Sequence, residues 1–203
     1  MSESAAEHDA WYEENAEEYA RQLDLVWALS APVGLGLEVG VGTARFAGPL
    51  GVAVGVDPAS DMCRRARECG VAAVRAVGER LPFDDGVFDS ALMVNVLFLL
   101  DDRRAVLEEL RRVLRPAAIL VIGETDAATR LGRFRRERYR EELEALGRSF
   151  LTADELTDLL RESGFLPVAV AQTLFGPPEN PASISGWEEG HGRGGFVVVK
   201  ALA

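Results

Sequence analysis

Alternation between short apolar runs and helical patterns constrains the fold of this chain more than any other feature. The apolar runs are residues 36–39, 52–56, 71–74, 88–94 and 119–122. They lack polar alternation, which is typical of strands buried on both faces. Helical patterns lie between them at about 43–49, 58–69 and 102–114. Strands that alternate with helices pair in parallel through right-handed crossovers, so the sequence predicts a doubly wound α/β fold.

The C-terminal region follows a different pattern. Two further apolar runs, 165–174 and 195–202, are separated by a loop rich in Gly, Pro and Ser. Without a helix between them they should pair antiparallel. The full prediction is a mostly parallel seven-stranded sheet with an antiparallel C-terminal strand pair. A chain of 203 residues fits one domain, so we expect residues 1–203 to form a single unit.

Two further helical segments lie outside the alternation of strands and helices. Within residues 1–30, apolar positions recur at steps of three and four and glutamates occupy the gaps. The apolar positions are Tyr12, Ala16, Tyr19, Leu23, Val26 and Trp27, and the glutamates are Glu13, Glu14, Glu17 and Glu18. The segment 125–150 is rich in arginine and its apolar residues form no single stripe. It is interpreted as an inserted helical lid, or as two short helices, followed by a helix that a Thr152–Glu155 capping box begins.

Composition excludes several classes of function. The net charge of −11 would repel a long phosphate backbone, so we expect no nucleic-acid partner. Cys63 and Cys69 fit neither a metal site nor a disulfide framework, and with no signal peptide apparent this predicts a reduced, cytoplasmic setting. The longest apolar stretch, 91–100, is far shorter than the ~20 residues of a membrane span, so no membrane association is expected.

The stretch LEVGVGTARF at residues 37–46 predicts a ligand site. A strand runs directly into Gly40 and Gly42, which lets a ligand approach the backbone and its free N–H groups. Asp57 follows the second predicted strand, where a carboxylate can accept hydrogen bonds from both ribose hydroxyls. A dinucleotide fingerprint needs a third glycine where this chain has Arg45. Glu38 would also disfavour a pyrophosphate but suit a ligand that carries an amino group and a sulfonium.

Four motifs in order resemble the class I S-adenosylmethionine (SAM)-dependent methyltransferases, particularly small stand-alone members of the ubiquinone/menaquinone type. They are LEVGVGTARF, GVDPAS, GERLPFDDGVFD and VLRPAAILVIGE. The opening WYEENAEEYARQL is similar to the N-terminal capping helix of that family. The resemblance covers nearly the whole chain. It implies SAM as cofactor and S-adenosylhomocysteine (SAH) as product.

Carried over to this chain, the resemblance also implies a set of SAM contacts. Glu38, Gly40, Gly42 and Thr43 would surround the methionine part, and Asp57 would hold the ribose. Pro58 and Met62 would pack against the adenine, and Gly78 would offer its backbone N–H to the ring, with Glu79 beside it. Asn95 and Val96 would line the floor under the sulfonium, and Tyr12 and Tyr19 would cover the cofactor.

Some positions depart from the family pattern. In the first family motif the third small residue is usually glycine, and here it is Ala44. Val77 stands where many relatives have an aspartate, and residues 117–118 are Ala-Ala where a glycine pair is usual. These departures leave open a SAM- or SAH-binding module without transferase activity. A nicotinamide-dependent oxidoreductase is disfavoured by Arg45 and by the predicted antiparallel pair.

Methyl transfer from a sulfonium is an in-line displacement that chiefly requires alignment in a dry pocket, so no catalytic residue is assigned. The expected acceptor is a small molecule. His8 and His191 are the candidate general bases, although each is expected to be exposed. For Arg133 and Arg136, two interpretations stay open: a solvated helix face paired with glutamates, or a lid that attracts an anionic acceptor.

Overall fold

One sheet of eight strands organises the computed structural model, which describes residues 4–30 and 34–203. The strands are β1 (Gly36–Val39), β2 (Val54–Asp57), β3 (Ala72–Arg75), β4 (Phe88–Val94), β5 (Leu114–Thr125), β6 (Leu166–Thr173), β7 (Glu188–Glu189) and β8 (Phe196–Leu202). Their order is β3-β2-β1-β4-β5-β8-β6-β7. The first five pair in parallel, and β8 lies antiparallel between β5 and β6. The predicted sheet with its antiparallel C-terminal pair is confirmed.

Helices cover both faces of the sheet. They are α1 (Ala5–Glu14), α2 (Ala16–Ser30), α3 (Ala47–Leu50), α4 (Ser60–Glu68), α5 (Arg103–Val113), α6 (Arg130–Arg138), α7 (Arg140–Ala145) and α8 (Ala153–Glu162). Leu107 and Leu110 of α5 pack with α8 against one face, in the core cluster that contains Leu120 of β5. Leu25 of α2 packs against the other face, in the cluster that contains Val121. Adjacent residues of β5 thus enter opposite layers, as a doubly wound sheet requires.

Local signals account for the helix boundaries. The Thr152 hydroxyl accepts from the Glu155 N–H and the Glu155 side chain returns to the Thr152 N–H, which confirms the predicted capping box at α8. Asp102 caps α5 through the Ala105 N–H at 3.0 Å. The arginine-rich segment forms the two short helices α6 and α7, one of the two predicted arrangements.

The strand prediction needs two corrections. The sheet has eight strands, because the two-residue β7 pairs with β6 through Glu188 and Glu189 and is too short and too polar to show in the hydrophobic pattern. The third strand was expected to be buried on both faces, but β3 lies at the edge of the sheet with Val74 38% exposed.

The N-terminal prediction of one helix is also wrong, because α1 and α2 meet at Asn15. Its side-chain Nδ2 donates to the Trp11 carbonyl at 2.8 Å, and this local bond ends α1. The buried stripe of α2 differs from the predicted one: Trp27 is 54% exposed, whereas Glu18 is 7% and Gln22 0% exposed. The polar pair is buried because it meets polar partners beyond the strand ends.

Candidate functional site

The carboxyl ends of β1, β2 and β4 meet at one edge of the sheet. β1 pairs in parallel with β2 on one side and β4 on the other, so the residues that follow these strands converge. Gly40 and Gly42, just after β1, have φ values of 75° and 49°. The N–H groups of Gly40 and Val41 donate to the Val56 carbonyl at 2.8 and 2.9 Å, which holds the turn against β2.

The glycine at position 40 is required by a close approach. A Cβ built on Gly40 would lie 2.3 Å from Cγ2 of Val96, the residue two positions beyond β4. No side chain fits there without moving Val96. The turn and the β4 loop therefore form adjacent walls of one site.

The Asp57 carboxylate connects the turn to the start of α4. Its Oδ2 accepts from the Gly42 N–H at 3.1 Å and its Oδ1 from the Ala59 N–H at 2.8 Å. Burial raises the pKa of Asp57, and these two hydrogen bonds oppose that shift. Each carboxylate oxygen has a second lone pair and can still accept from a ligand hydroxyl.

Glu38 faces a different partner from the one predicted. The carboxyl group is 2% exposed and accepts from the Ala47 N–H at the start of α3 at 2.8 Å. Burial raises the pKa of Glu38 well above its usual range. It therefore supports the turn from within the fold, and its role toward a ligand amino group stays a prediction.

The predicted adenine contacts lie beyond β2 and β3. Gly78 is buried, and a Cβ there would lie 3.1 to 3.2 Å from Val106 and Val39. Within residues 4–30 and 34–203 no hydrogen-bond acceptor takes the Gly78 N–H. Met62 is 7% exposed, whereas Pro58 is exposed and Glu79 is partly so.

Helix α1 lies over the glycine turn, held by Asp9. This carboxylate accepts from Thr43 Oγ1 at 2.8 Å, Arg45 Nε at 2.7 Å and Arg65 Nε at 3.0 Å. Because the hydroxyl proton of Thr43 goes to Asp9, the His8 Nδ1–H donates to Thr43 Oγ1 at 3.0 Å. These three hydrogen bonds to Asp9, the Asp9 clamp, were not predicted from the sequence. Arg45, which stands where a dinucleotide motif has its third glycine, was a signal for them.

His8 is therefore not exposed as predicted. Its ring is partly buried, with Cε1 3.0 Å from the position of a Cβ on Gly42, and burial lowers its pKa. His191, in the loop before β8, is exposed as predicted, and its Nε2 lies 3.4 Å from Asp154 Oδ1.

Tyr12 and Tyr19 form an aromatic cluster with Phe46. The two tyrosine rings are 5.1 Å apart, edge to face, and both make edge contacts with Phe46. The Tyr19 hydroxyl donates to the Arg45 carbonyl. These contacts pack α1 and α2 on the turn, and direct contact with a cofactor stays a prediction.

Ala44 adopts the conformation that glycine would favour. Its φ is 65°, it is 3% exposed, and its N–H donates to the Val41 carbonyl at 2.8 Å. Ala117 likewise has a φ of 64°. Left-handed backbone costs an alanine about 1–2 kcal/mol, so both departures raise the conformational cost of their turns.

Polar side chains fill the space beyond β4 and β5. Asn95 Nδ2 donates to Gln22 Oε1 at 3.0 Å, and Gln22 Nε2 donates to Glu18 Oε1 at 2.9 Å. Arg135 of α6 pairs with Glu18 and donates to Thr125 Oγ1 at 2.8 Å. Sequence reasoning missed this cluster; the i, i+4 spacing of Glu18 and Gln22 was its only signal.

For Arg133 and Arg136 the sequence left open a solvated helix face or an anion-attracting lid. Both side chains are exposed, and Arg133 donates to the Ala128 carbonyl. Arg135, whose side chain is 15% exposed, is the arginine that reaches the cluster. The interpretation of Arg133 and Arg136 as an anion-attracting lid stays untested.

Glu124, at the end of β5, holds the loop that carries Val96. Its Oε1 accepts from the N–H groups of Val96 at 2.8 Å and Leu97 at 2.6 Å. Burial raises the pKa of Glu124 to about 7. Through these two hydrogen bonds the Glu124 carboxyl group fixes the position of the Val96 loop, which forms one wall of the site.

Glu124 should make stability depend on pH. Its folded pKa of about 7 exceeds the ordinary value, so as pH rises the unfolded chain loses the proton first and stability falls between about pH 4.5 and 7. The Glu124→Gln variant lacks this titration. From pH 5 to pH 8, its unfolding free energy should therefore rise by up to about 3 kcal/mol relative to that of wild type. Urea denaturation at four pH values measures this. Exposed Glu108→Gln is the control, and parallel curves for Glu124→Gln and wild type would refute the shift.

The donor set at this edge fits SAM. Asp57 suits a ribose diol, and Gly78 offers a backbone N–H donor. In the described ranges, no group of three or more His, Cys, Asp or Glu could hold a metal ion. No helix there is long and apolar enough to cross a membrane.

Comparison with known proteins agrees with this geometry. Residues 37–122 match the family model described as a methyltransferase domain. An uncharacterised protein of Methanocaldococcus jannaschii is 34% identical over 97% of this chain and 95% of its own length. The demethylmenaquinone methyltransferase of Geobacillus kaustophilus is 30% identical over 69% of this chain and 74% of its own length.

A crystal structure of a SAM-dependent methyltransferase from Thermotoga maritima superposes with a TM-score of 0.89. The two sequences are 36% identical, and the match covers 97% of this chain and 94% of the Thermotoga maritima chain. Fold, site and relatives thus define an enzyme that uses SAM as cofactor and yields SAH. The chain belongs to the class I SAM-dependent methyltransferases.

Proposed function

We propose that this methyltransferase transfers the methyl group of SAM to a small-molecule acceptor by in-line displacement. The observation that carries the proposal is the convergence of the glycine turn, Asp57 and the Asn95–Val96 loop at one edge of the sheet. In a doubly wound sheet, ligands bind beyond the carboxyl ends of the strands.

In this proposal the protein binds, orients and excludes water. Asp57 holds the ribose hydroxyls, and the backbone at Gly40 and Gly42 lets the methionine part approach. Helices α1 and α2 cover the turn through Asp9 and Tyr19. SAM supplies an electrophilic methyl group on a sulfonium, so alignment in a dry site accounts for most of the catalysis.

A small acceptor is supported by charge and by relatives. The net charge of −11 disfavours nucleic acid. The Thermotoga maritima protein is named as a candidate histamine N-methyltransferase. Residues 125–150, with α6 and α7, lie after the end of β5, where a lid over the acceptor would lie. The binding-only alternative was suggested by Ala44 and Val77, and it loses the first of these supports because Ala44 has a glycine-like φ.

Parallel thermal shifts test the cofactor. SAM and SAH should each raise the melting temperature, because a ligand that binds only the folded state stabilises it, while NAD should not. SAH formation with a mixture of small molecules then tests transfer. Stabilisation by NAD alone would overturn the proposal, and SAM binding without SAH formation would favour the binding-only module.

A further inference from the structure

The buried polar chain from Glu18 to Asn95 has only one possible direction. The Glu18 carboxylate, paired with Arg135, can only accept hydrogen bonds. Gln22, which is 0% exposed, must therefore turn its Nε2 to Glu18 and leave Oε1 as an acceptor. That oxygen takes the Asn95 Nδ2–H at 3.0 Å. The amide of Asn95 is thus held with its Oδ1 as the remaining acceptor.

Asn95 occupies a special position in the site. It follows β4 with a φ of 56°, a left-handed conformation, and its N–H donates to the Gly123 carbonyl at 2.9 Å. The next residue, Val96, lies against Gly40. Across residues 4–30 and 34–203, no group donates a hydrogen bond to Asn95 Oδ1. An acceptor without a partner, held at the edge where the ligand is proposed to bind, points to a function.

We infer that Asn95 Oδ1, oriented by Gln22 and Glu18, accepts a hydrogen bond from the N–H group of the methyl acceptor, a small primary or secondary amine. This inference rests on the proposed function. An amide oxygen is not a base, so it cannot remove the proton that a hydroxyl must lose on attack. A neutral amine attacks with its lone pair and keeps an N–H to donate.

The transfer balances without another reactant. The nitrogen lone pair forms a C–N bond to the methyl carbon as the C–S bond breaks, and the C–S electron pair stays on sulfur to give SAH. Positive charge moves from sulfur to nitrogen, and the methylated ammonium then loses a proton to water. The partial negative charge on Asn95 Oδ1 stabilises the charge that develops on nitrogen.

Isotope labelling tests the acceptor class. The protein is incubated with SAM carrying a deuterated methyl group and a small-molecule extract of the cells that produce it, and labelled products are identified by mass spectrometry and NMR. Label on nitrogen is expected. Label on oxygen, carbon or sulfur would overturn the inference and leave the proposed function intact. Binding of SAM with no labelled product would overturn both.

Variants then test the residues with the amine so identified. Asn95→Gly keeps the left-handed backbone but removes the amide, and should lower kcat/KM for the amine at least about 10-fold. Glu18→Gln allows Gln22 and Asn95 to reverse, and should act in the same direction. Calorimetry should give a SAM Kd within about threefold of wild type for Glu18→Gln, whose side chain is not among the proposed SAM contacts, a split that a general loss of structure would not produce.

Exposed Glu17→Gln, on the same helix, is the matched control and should leave kcat/KM unchanged. Circular dichroism checks that each variant is folded, and Asn95→Gly decides the matter if Glu18→Gln does not fold. A kcat/KM for Asn95→Gly within twofold of wild type would refute the role of the amide.

Discussion

Replacing Asp57 with asparagine is expected to weaken SAM binding about 100-fold, because hydrogen bonds to a charged group are worth about 1.5–3 kcal/mol each. The carboxylate accepts from the Gly42 and Ala59 N–H groups, and in the proposed complex it also accepts from the ribose hydroxyls. An asparagine side chain has one acceptor oxygen and one NH2 group, so its NH2 group would face at least one of these N–H or O–H donors and lose that hydrogen bond. Isothermal titration calorimetry gives the change in Kd directly.

Asp61→Asn is the matched control for this prediction. Asp61 lies in the first turn of α4 and accepts from the Ala5 N–H at 3.0 Å, so the charge change is the same without contact with the glycine turn. SAM affinity of this variant should stay within about threefold, less than the loss of one good hydrogen bond. If Asp57→Asn also bound SAM as tightly as wild type, the ribose assignment would be wrong.

Gly40→Ala should produce the largest loss of stability, about 3 kcal/mol or more. The left-handed φ of 75° costs an alanine about 1–2 kcal/mol, and the new methyl group would lie 2.3 Å from Cγ2 of Val96, an overpacking that typically costs about 1–3 kcal/mol. For a chain of this length that corresponds to a fall of roughly 6–12 °C in melting temperature. Calorimetry and urea denaturation measure the two quantities.

Two further variants separate the steric and conformational parts. Val96→Ala combined with Gly40→Ala removes the collision and should recover stability relative to Gly40→Ala, because residues in contact are not additive. Gly48→Ala is the control, since a Cβ in α3 meets nothing within 4 Å. It should be neutral or stabilising by up to about 1 kcal/mol. Equal losses at positions 40 and 48 would contradict the close approach.

The site residues that the sequence could predict are those whose role depends on backbone shape or strand ends. Gly40 and Gly42 were predicted from the turn that they form, and Asp57 from its position after a strand, which parallel pairing places beside that turn. The SAM cofactor followed from the order of four motifs. Such features are local, so they can be read from short stretches of chain.

Side-chain direction was less accessible. Glu18 was placed on the solvent side and Trp27 on the buried side, yet the helix turns Glu18 inward, where Gln22 and Arg135 pair with it. The break at Asn15 changed which face packs. His8 was expected to be exposed, but Asp9 and Thr43 bring it onto the turn. Each of these contacts joins residues more than 30 positions apart or depends on a helix rotation that no local pattern shows.

By itself, the sequence determined the strand and helix alternation, the parallel pairing and the nucleoside-type turn, because hydrophobic periodicity and glycine positions encode them locally. Only the tertiary structure decided which polar groups face one another beyond the strand ends. The burial of Glu38 and Glu124, the Asp9 clamp and the single direction of the Glu18–Gln22–Asn95 chain arise when distant elements pack. Desolvation and long-range hydrogen bonding set these features, and both depend on the assembled fold.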